Sequence, residues 1–158
     1  MSHHTLTRSA PGWWLAATVL VAAALLGRAA EAAPTVVELT QTGCQFLETE
    51  AADHGFATHG AADCNAINAR TSAARLANGK VLRLTPGEYV FRVTNRDVPY
   101  PLGFWLRGKG LGRVTLPSVS GGGLATGASR DYPVTLAAGE YHFSCPLNPT
   151  PDYTLIVE

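Results

Sequence analysis

From residue 35 onward, the chain is dominated by short stretches in which apolar and polar residues alternate. In Glu88–Thr94 (EYVFRVT), the residues Tyr89, Phe91 and Val93 fall on one face, as in a half-buried strand. Seven further stretches are also predicted as strands: Thr35–Thr40, Lys80–Thr85, Gly103–Arg107, Arg113–Leu116, Tyr132–Leu136, Glu140–Cys145 and Tyr153–Val157. Short strands at this spacing predict an all-β fold, a Greek-key β-sandwich of about eight strands.

One segment has the composition of a helix rather than a strand. Cys64–Ala77 (CNAINARTSAARLA) is rich in helix formers, and Asn78 and Gly79 follow it as a suitable helix end. The glycine-rich stretch Ser118–Ser129 predicts a loop. The sandwich is therefore expected to carry one helix.

An internal repeat relates two of the predicted strands. The sequence LTPGEYVF at 84–91 recurs as LAAGEYHF at 136–143, with a glycine turn before an aromatic strand in each copy. Two copies are too few for a solenoid, which needs about three or more. The repeat therefore predicts two equivalent hairpins within one sandwich.

The second copy also predicts the direction of one cysteine. Alternation along the strand places Tyr141, Phe143 and Cys145 on one side and His142 and Ser144 on the other. If the two aromatic rings fill the core, the Cys145 side chain points inward at the end of its strand. His142 is then expected at the surface, facing away from Cys145.

The amino terminus has the features of a secretory signal peptide. Arg8 precedes an uncharged run from Trp13 to Leu26, about 14 residues long, which is too short to cross a bilayer core of about 30 Å as a helix. An A-x-A pattern at 30–32 predicts cleavage before Ala33. We therefore expect residues 1–32 to be a signal peptide, with a retained anchor as the alternative.

Cleavage at this site leaves residues 33–158 as a single domain. No second hydrophobic stretch approaches membrane length, so no membrane span is expected after signal removal. The predicted location is the periplasm or the extracellular space, where disulfides can form.

Composition and motifs argue against several functional classes. Lys+Arg and Asp+Glu number 12 each, so the chain lacks the excess positive charge of a nucleic-acid-binding protein. The segment GGGLATG lacks the Gly-Lys-Ser/Thr ending of a phosphate-binding loop, and the sequence has neither a C-x-x-C pair nor a G-x-S-x-G motif. No catalytic residue is assigned, and the chain is not expected to be an enzyme.

Several segments together resemble the cupredoxin-like domain, and within it the EfeO-type group. They are Asn95 after a strand (FRVTN), the aromatic segment GFWLRG, the PGEY turn, and a final Y-x-F-x-C strand followed by a Pro-rich loop and TLIV. The likeness covers Thr35–Leu47 and Lys80–Glu158. The intervening Glu48–Gly79 is interpreted as an insertion, either a helix or a loop.

The resemblance implies a copper site that this sequence carries only in part. Cupredoxins usually bind copper through an early His, a Cys that ends the penultimate strand, and a His and often a Met in the next loop. Only Cys145 matches, because no His occurs at Tyr100–Leu102 and Asn148 or Pro149 stands at the place of the late His. We therefore expect that copper, if bound, will not give the intense blue band of a His₂Cys site.

Cys145 is open to three interpretations at this point. It is a structural thiol, a ligand in a remodelled metal site, or half of an intermolecular disulfide. Two further candidate metal ligands, His54 and His59, lie in the insertion within the segment DHGFATHGAADC. Solvated loop histidines are the alternative interpretation of these two, since the neighbouring glycines argue against a helix that would put both imidazoles on one face.

The interpretation of 48–79 as an insertion also predicts a disulfide between Cys44 and Cys64. Both cysteines flank the insertion, and closing a loop of about 20 residues should contribute on the order of 3 kcal/mol in an oxidising compartment. Cys145 is the unpaired cysteine, because its strand points inward.

Two functions follow from the resemblance. The first is a periplasmic metal-handling or redox accessory that binds copper or iron through Cys145 or the His-bearing insertion. The alternative is a metal-free cupredoxin-like module whose loops LPSVSGGGL and CPLNPTPDY bind another protein of the cell envelope.

Overall fold

The computed structural model describes Met1 and residues 33–158. Apart from Met1, the predicted signal peptide lies outside the described residues. Within 33–158, no helix is both long enough and apolar enough to cross a membrane. This segment forms a compact unit that contains the sheets and the hydrophobic core described below.

Two sheets form a sandwich in residues 33–158, which confirms the all-β prediction. The strands in chain order are β1 (Thr35–Thr42), β2 (Gln45–Phe46), β3 (Leu82–Leu84), β4 (Gly87–Asn95), β5 (Leu102–Gly108), β6 (Val119–Leu124), β7 (Ser129–Leu136), β8 (Gly139–Ser144) and β9 (Tyr153–Val157). One sheet has the order β2-β1-β4-β7 and the other β3-β9-β8-β5-β6. The pairs β1–β4 and β3–β9 are parallel, and the other pairs are antiparallel.

The segment predicted as an insertion combines helices with a loop. It contains α1 (Leu47–Glu50) and α2 (Ala61–Asn78), so the helix predicted at Cys64–Ala77 is confirmed and begins three residues earlier. Gly79 follows α2 directly, as expected for a helix end.

Two local predictions are wrong, and in both cases glycine is the reason. Arg113–Leu116 is not a strand, because the chain turns into a 3₁₀ helix at Gly110–Val114 that starts at a glycine with φ of +56°. Ser118–Ser129 is not a loop throughout, because β6 occupies its first half. In β6, Gly121 lies so close to the Tyr132 ring that a β-carbon would meet it at 3.0 Å, so the glycine permits this packing.

The two copies of the internal repeat do not form hairpins. Strands β3 and β4 belong to different sheets, as do β7 and β8, so each turn carries the chain from one sheet to the other. The repeated tyrosine closes each turn by donating its hydroxyl to a carbonyl four residues upstream: Tyr89 to Thr85 at 2.9 Å, and Tyr141 to Ala137 at 2.8 Å. The repeat therefore specifies a crossover turn.

Aromatic residues from both sheets fill the core. Phe91, Phe104 and Phe143 are almost fully buried, and the ring of Phe46 meets Phe143 edge to face at 5.4 Å. Cys145 is buried in the same cluster, which confirms the inward direction predicted from strand alternation.

The strand directions place the main features at opposite ends of the sandwich. Thr35 pairs with Tyr89 in parallel, and Gly87 pairs with Leu136, so the chain enters at the end that holds the β3–β4 and β7–β8 turns. We call this the entry end. The opposite end, which we call the Cys145 end, holds Cys145 and the connections that leave β1, β4 and β8.

Candidate functional site

The thiol of Cys145 is buried at the Cys145 end. The residue is 1% exposed, and its sulfur accepts two backbone N–H hydrogen bonds, from Gly103 at 3.3 Å and from Asn148 at 3.2 Å. Burial raises the pKa of Cys145, and the N–H donors offset this only in part. The group is therefore a neutral thiol at physiological pH and a weak nucleophile.

Asn148 occupies the centre of this end of the molecule and is fully buried. Its side-chain oxygen accepts hydrogen bonds from the backbone of Cys44 at 3.0 Å and from the Tyr100 hydroxyl at 3.1 Å. Its side-chain nitrogen donates to the carbonyl of Thr42 at 2.9 Å. The amide thus joins the loop after β8 to the end of β1 and to the β4–β5 connection.

The residues around Cys145 do not fit a copper site of the His₂Cys type. Leu102, which precedes the Gly103 amide, is fully buried and is the last residue of Tyr100–Leu102, the range in which the resemblance predicts the early His. Asn148 is one of the two residues, with Pro149, where the late His is expected, and both polar atoms of its side chain are hydrogen-bonded. Two N–H groups are directed at the thiol, and within residues 33–158 it belongs to no cluster of three or more potential metal ligands.

The predicted disulfide between Cys44 and Cys64 is confirmed, and both cysteines are fully buried. It fastens α2 to the turn between β1 and β2. The Cys64 sulfur lies 3.0 Å from the Asn148 side-chain oxygen, so the disulfide and the Cys145 thiol contact the same asparagine.

The structure does not bring His54 and His59 to Cys145. The Nε2 atom of His54 lies 2.8 Å from a Glu50 carboxylate oxygen, and its ring stacks on Phe56. The side chain of His59 is 91% exposed, with Nδ1 at 3.6 Å from Asp63. Across residues 33–158, no three or more His, Cys, Asp or Glu side chains are grouped so that they could hold a metal ion.

Sequence reasoning missed a buried charged cluster that attaches the insertion to the sandwich. The side chain of Glu50 is 1% exposed and accepts hydrogen bonds from Arg75 at 2.6 and 2.8 Å and from the Tyr153 hydroxyl. Burial lowers the pKa of Arg75, but the hydrogen bond to Glu50 contributes to a net increase. Burial, followed by the contact with Glu50, raises the pKa of Tyr153.

A second unpredicted cluster lies on the outer face of the larger sheet. Arg107 donates to Asp152 at 2.6 Å and to Ser144 at 3.0 Å, and its guanidinium lies 4.1 Å from the centre of the Trp105 ring. His142 lies on this face, 3.7 Å from Asp152, and burial lowers its pKa. This placement agrees with the prediction that His142 faces away from Cys145.

A cleft of about 380 Å³ opens at the Cys145 end. The loop at 53–59 forms one wall, and Asp97–Pro99 forms another. Beside the loops, Pro99, Pro101, Pro146 and Leu147 are exposed. The cleft and these residues form a mixed polar and apolar surface next to the buried thiol.

Comparison with known proteins adds no family assignment, because no protein-family model and no curated protein matches this chain. The cupredoxin-like resemblance stays a prediction based on the residues of this sequence.

Proposed function

We propose that this chain is an exported, metal-free cupredoxin-like module that binds another protein of the cell envelope through its Cys145 end. The observation that carries the proposal is the side chain of Asn148, which with Pro149 occupies the position where the resemblance expects a second imidazole. Its oxygen and nitrogen hold Cys44, Tyr100 and Thr42. This residue maintains the structure of the loops and has no spare donor for a metal ion.

The competing function is a metal-handling or redox accessory that uses Cys145, His54 or His59 to bind copper or iron. Such a site requires several soft or borderline donors to converge on one point. Here the thiol is surrounded by amide N–H groups, whereas His54 and His59 are paired with Glu50 and Asp63. The metal-free function therefore agrees better with the contacts of Cys145, His54 and His59.

The surface at the Cys145 end supports protein binding. Leu147 is 45% exposed, while Asn148 directly after it is anchored on three sides. The β4–β5 connection is held in a similar way, since the buried Asn95 amide contacts the backbone of Val98 and Tyr100. Loops that are already ordered lose little conformational entropy on binding, which favours association.

The proposed location is the periplasm or the extracellular space. The predicted signal peptide directs export, and a buried disulfide is typical of proteins that fold in an oxidising compartment. Intact-mass analysis of the exported protein should give a chain that begins at Ala33. A full-length species in the membrane fraction would indicate a retained anchor instead.

Site-specific photocrosslinking in cells tests the binding surface. A photoreactive residue at Leu147 should give one discrete protein adduct, because this side chain stands at the centre of the proposed interface. The same residue at Leu76, which is 41% exposed on α2, is the matched control and should give none. Equal labelling from both positions, or no adduct from Leu147, would argue against the proposal.

Metal analysis of the same preparation tests the competing function. We expect no copper or iron above the level of a Cys145→Ser variant. Stoichiometric metal that disappears in this variant would favour the metal-handling function.

A further inference from the structure

Two aliphatic side chains project into solvent at the entry end. Leu111 is 90% exposed and Val114 is 86% exposed. They lie three residues apart in the 3₁₀ helix Gly110–Val114, and three residues complete one turn of such a helix, so both side chains project from the same side. We call this pair the apolar tip.

The apolar tip is held firmly by the sandwich. Immediately before the helix, the Lys109 amide donates to the Glu140 carbonyl at 2.8 Å, and after it the Leu116 amide donates to Gly112 at 2.8 Å. The Leu116 side chain packs beneath Gly112, where an added β-carbon would lie 2.9 Å from it. The exposed tip therefore lies on a turn that is anchored to the sandwich.

Cationic side chains flank the apolar tip. Arg113 lies between its two members in sequence, and its guanidinium is 5.5 Å from the centre of the Trp105 ring. Lys109 is nearby and pairs with Glu140 at 2.8 Å. Because Glu140 balances the charge of Lys109, Arg113 is the cation that the tip presents, and an apolar tip with a cation beside it suits the headgroup region of an anionic bilayer.

The chain enters the sandwich at this same end. Thr35 begins β1 and pairs with Tyr89, next to the crossover turns. Strand β5 ends at Gly108, which lies opposite Tyr141 at the same end, and leads into the 3₁₀ helix. The uncharged run from Trp13 to Leu26 precedes this entry point in the sequence. A run of this kind engages a membrane during export, so the end that carries the tip is the end joined to the membrane-directed segment until cleavage before Ala33.

We infer that the apolar tip binds peripherally to an anionic lipid surface, with Leu111 and Val114 in the interface and Arg113 at the phosphate groups. A protein partner fits this surface less well, because a specific interface buries about 800 Å² on each side around an apolar core. Two projecting side chains provide neither a groove nor such an area. Peripheral lipid binding needs only a small apolar insertion combined with cationic contacts. The inference is independent of the proposed function, which uses the opposite end.

Vesicle co-sedimentation tests the inference, using the chain that starts at Ala33 and vesicles of phosphatidylglycerol mixed with phosphatidylcholine. We expect the protein to sediment with these vesicles at low salt and much less with phosphatidylcholine alone. Trp105 is the only tryptophan in residues 33–158, so a blue shift of its emission should accompany binding through the adjacent Arg113.

Three variants make the test specific. Leu111→Ser combined with Val114→Ser should lower vesicle partitioning by at least about tenfold, since two aliphatic side chains are lost from the interface. Arg113→Gln should lower it by about fivefold, and added salt should reduce that difference. The matched control, Leu76→Ser with Val81→Ser, removes two exposed aliphatic side chains elsewhere and should bind like the wild type.

Two results would overturn the inference. One is equal vesicle binding by the tip variant and the wild type, or no binding by either. The other is a discrete protein adduct from a photoreactive residue at Leu111 without vesicle binding, which would assign the tip to a protein partner.

Discussion

Asn148 donates its backbone amide to the sulfur of Cys145 at 3.2 Å, and this contact links the free thiol to the rest of the Cys145 end. The side chain of the same asparagine contacts both cysteines of the disulfide, through the Cys44 amide and the Cys64 sulfur. The buried Asn148 therefore contacts both the free thiol and the disulfide. Loss of this residue should affect the whole end of the sandwich.

We predict that Asn148→Ala lowers the free energy of unfolding by about 2–4 kcal/mol. The substitution leaves the Cys44 amide and the Thr42 carbonyl without their partner, and each buried unsatisfied polar group costs roughly 1–3 kcal/mol. Urea unfolding of wild type and variant measures the difference. The control is Asn78→Ala at the exposed end of α2, expected within about 0.5 kcal/mol of the wild type. Equal losses at the two positions would contradict this role for Asn148.

The buried pair of Glu50 and Arg75 gives a second prediction. Arg75→Met leaves the Glu50 carboxylate buried without its main partner, so we expect a loss of roughly 3–5 kcal/mol in the free energy of unfolding. The control pair is Arg92 and Asp131, which has a similar hydrogen-bond geometry at the surface. Arg92→Met should cost at most about 1 kcal/mol. Similar losses for the two variants would show that burial does not determine how much the Glu50–Arg75 pair contributes to the free energy of unfolding.

The Cys145 thiol predicts a fall in stability at alkaline pH. Its pKa is raised in the folded protein, so the unfolded chain loses the thiol proton first as pH increases. Stability from this group is complete below about pH 8.5, the ordinary cysteine value, and declines as pH rises above it. Urea unfolding between about pH 8 and pH 10 should show a steeper decline in the wild type than in Cys145→Ser, which keeps the contribution of Tyr153, whose pKa is also raised. An equal decline in both proteins would assign the effect to other groups.

Much of the fold could be predicted from local patterns. Strand alternation identified β4, β8 and β9, and it gave the inward direction of Cys145 because the side-chain period of two is a local property. The helix and the disulfide were also predicted. The crossover turns were mistaken for hairpins, since pairing between sheets depends on distant strands rather than on the turn sequence.

The polar clusters could not be predicted in the same way. Glu50 meets Arg75 across 25 residues and Tyr153 across 103 residues, and no spacing in the sequence reports such contacts. Asn148 was identified as a position where a ligand is missing. Its hydrogen bonds to Thr42 and Cys44 became apparent only once the folded chain brought these segments together.

A gain-of-function variant tests the cupredoxin-like resemblance itself. If Leu102 and Asn148 occupy the two histidine positions, then Leu102→His combined with Asn148→His places two imidazoles beside the Cys145 thiol. We expect this variant, once circular dichroism has shown that it is folded, to bind Cu(II) with an intense visible absorption. Cys145→Ser in the same background should abolish that absorption. A folded double variant that stays colourless with Cu(II) would place the histidine positions elsewhere.

Titration of the exported wild-type protein with Cu(II), followed by calorimetry and visible absorption, tests the central claim most directly. We predict no binding at micromolar concentration and no intense visible band, because both polar atoms of the Asn148 side chain are hydrogen-bonded and no cluster of three or more potential ligands occurs within residues 33–158. Stoichiometric binding that gives such a band and is lost in Cys145→Ser would contradict the proposal of a metal-free module.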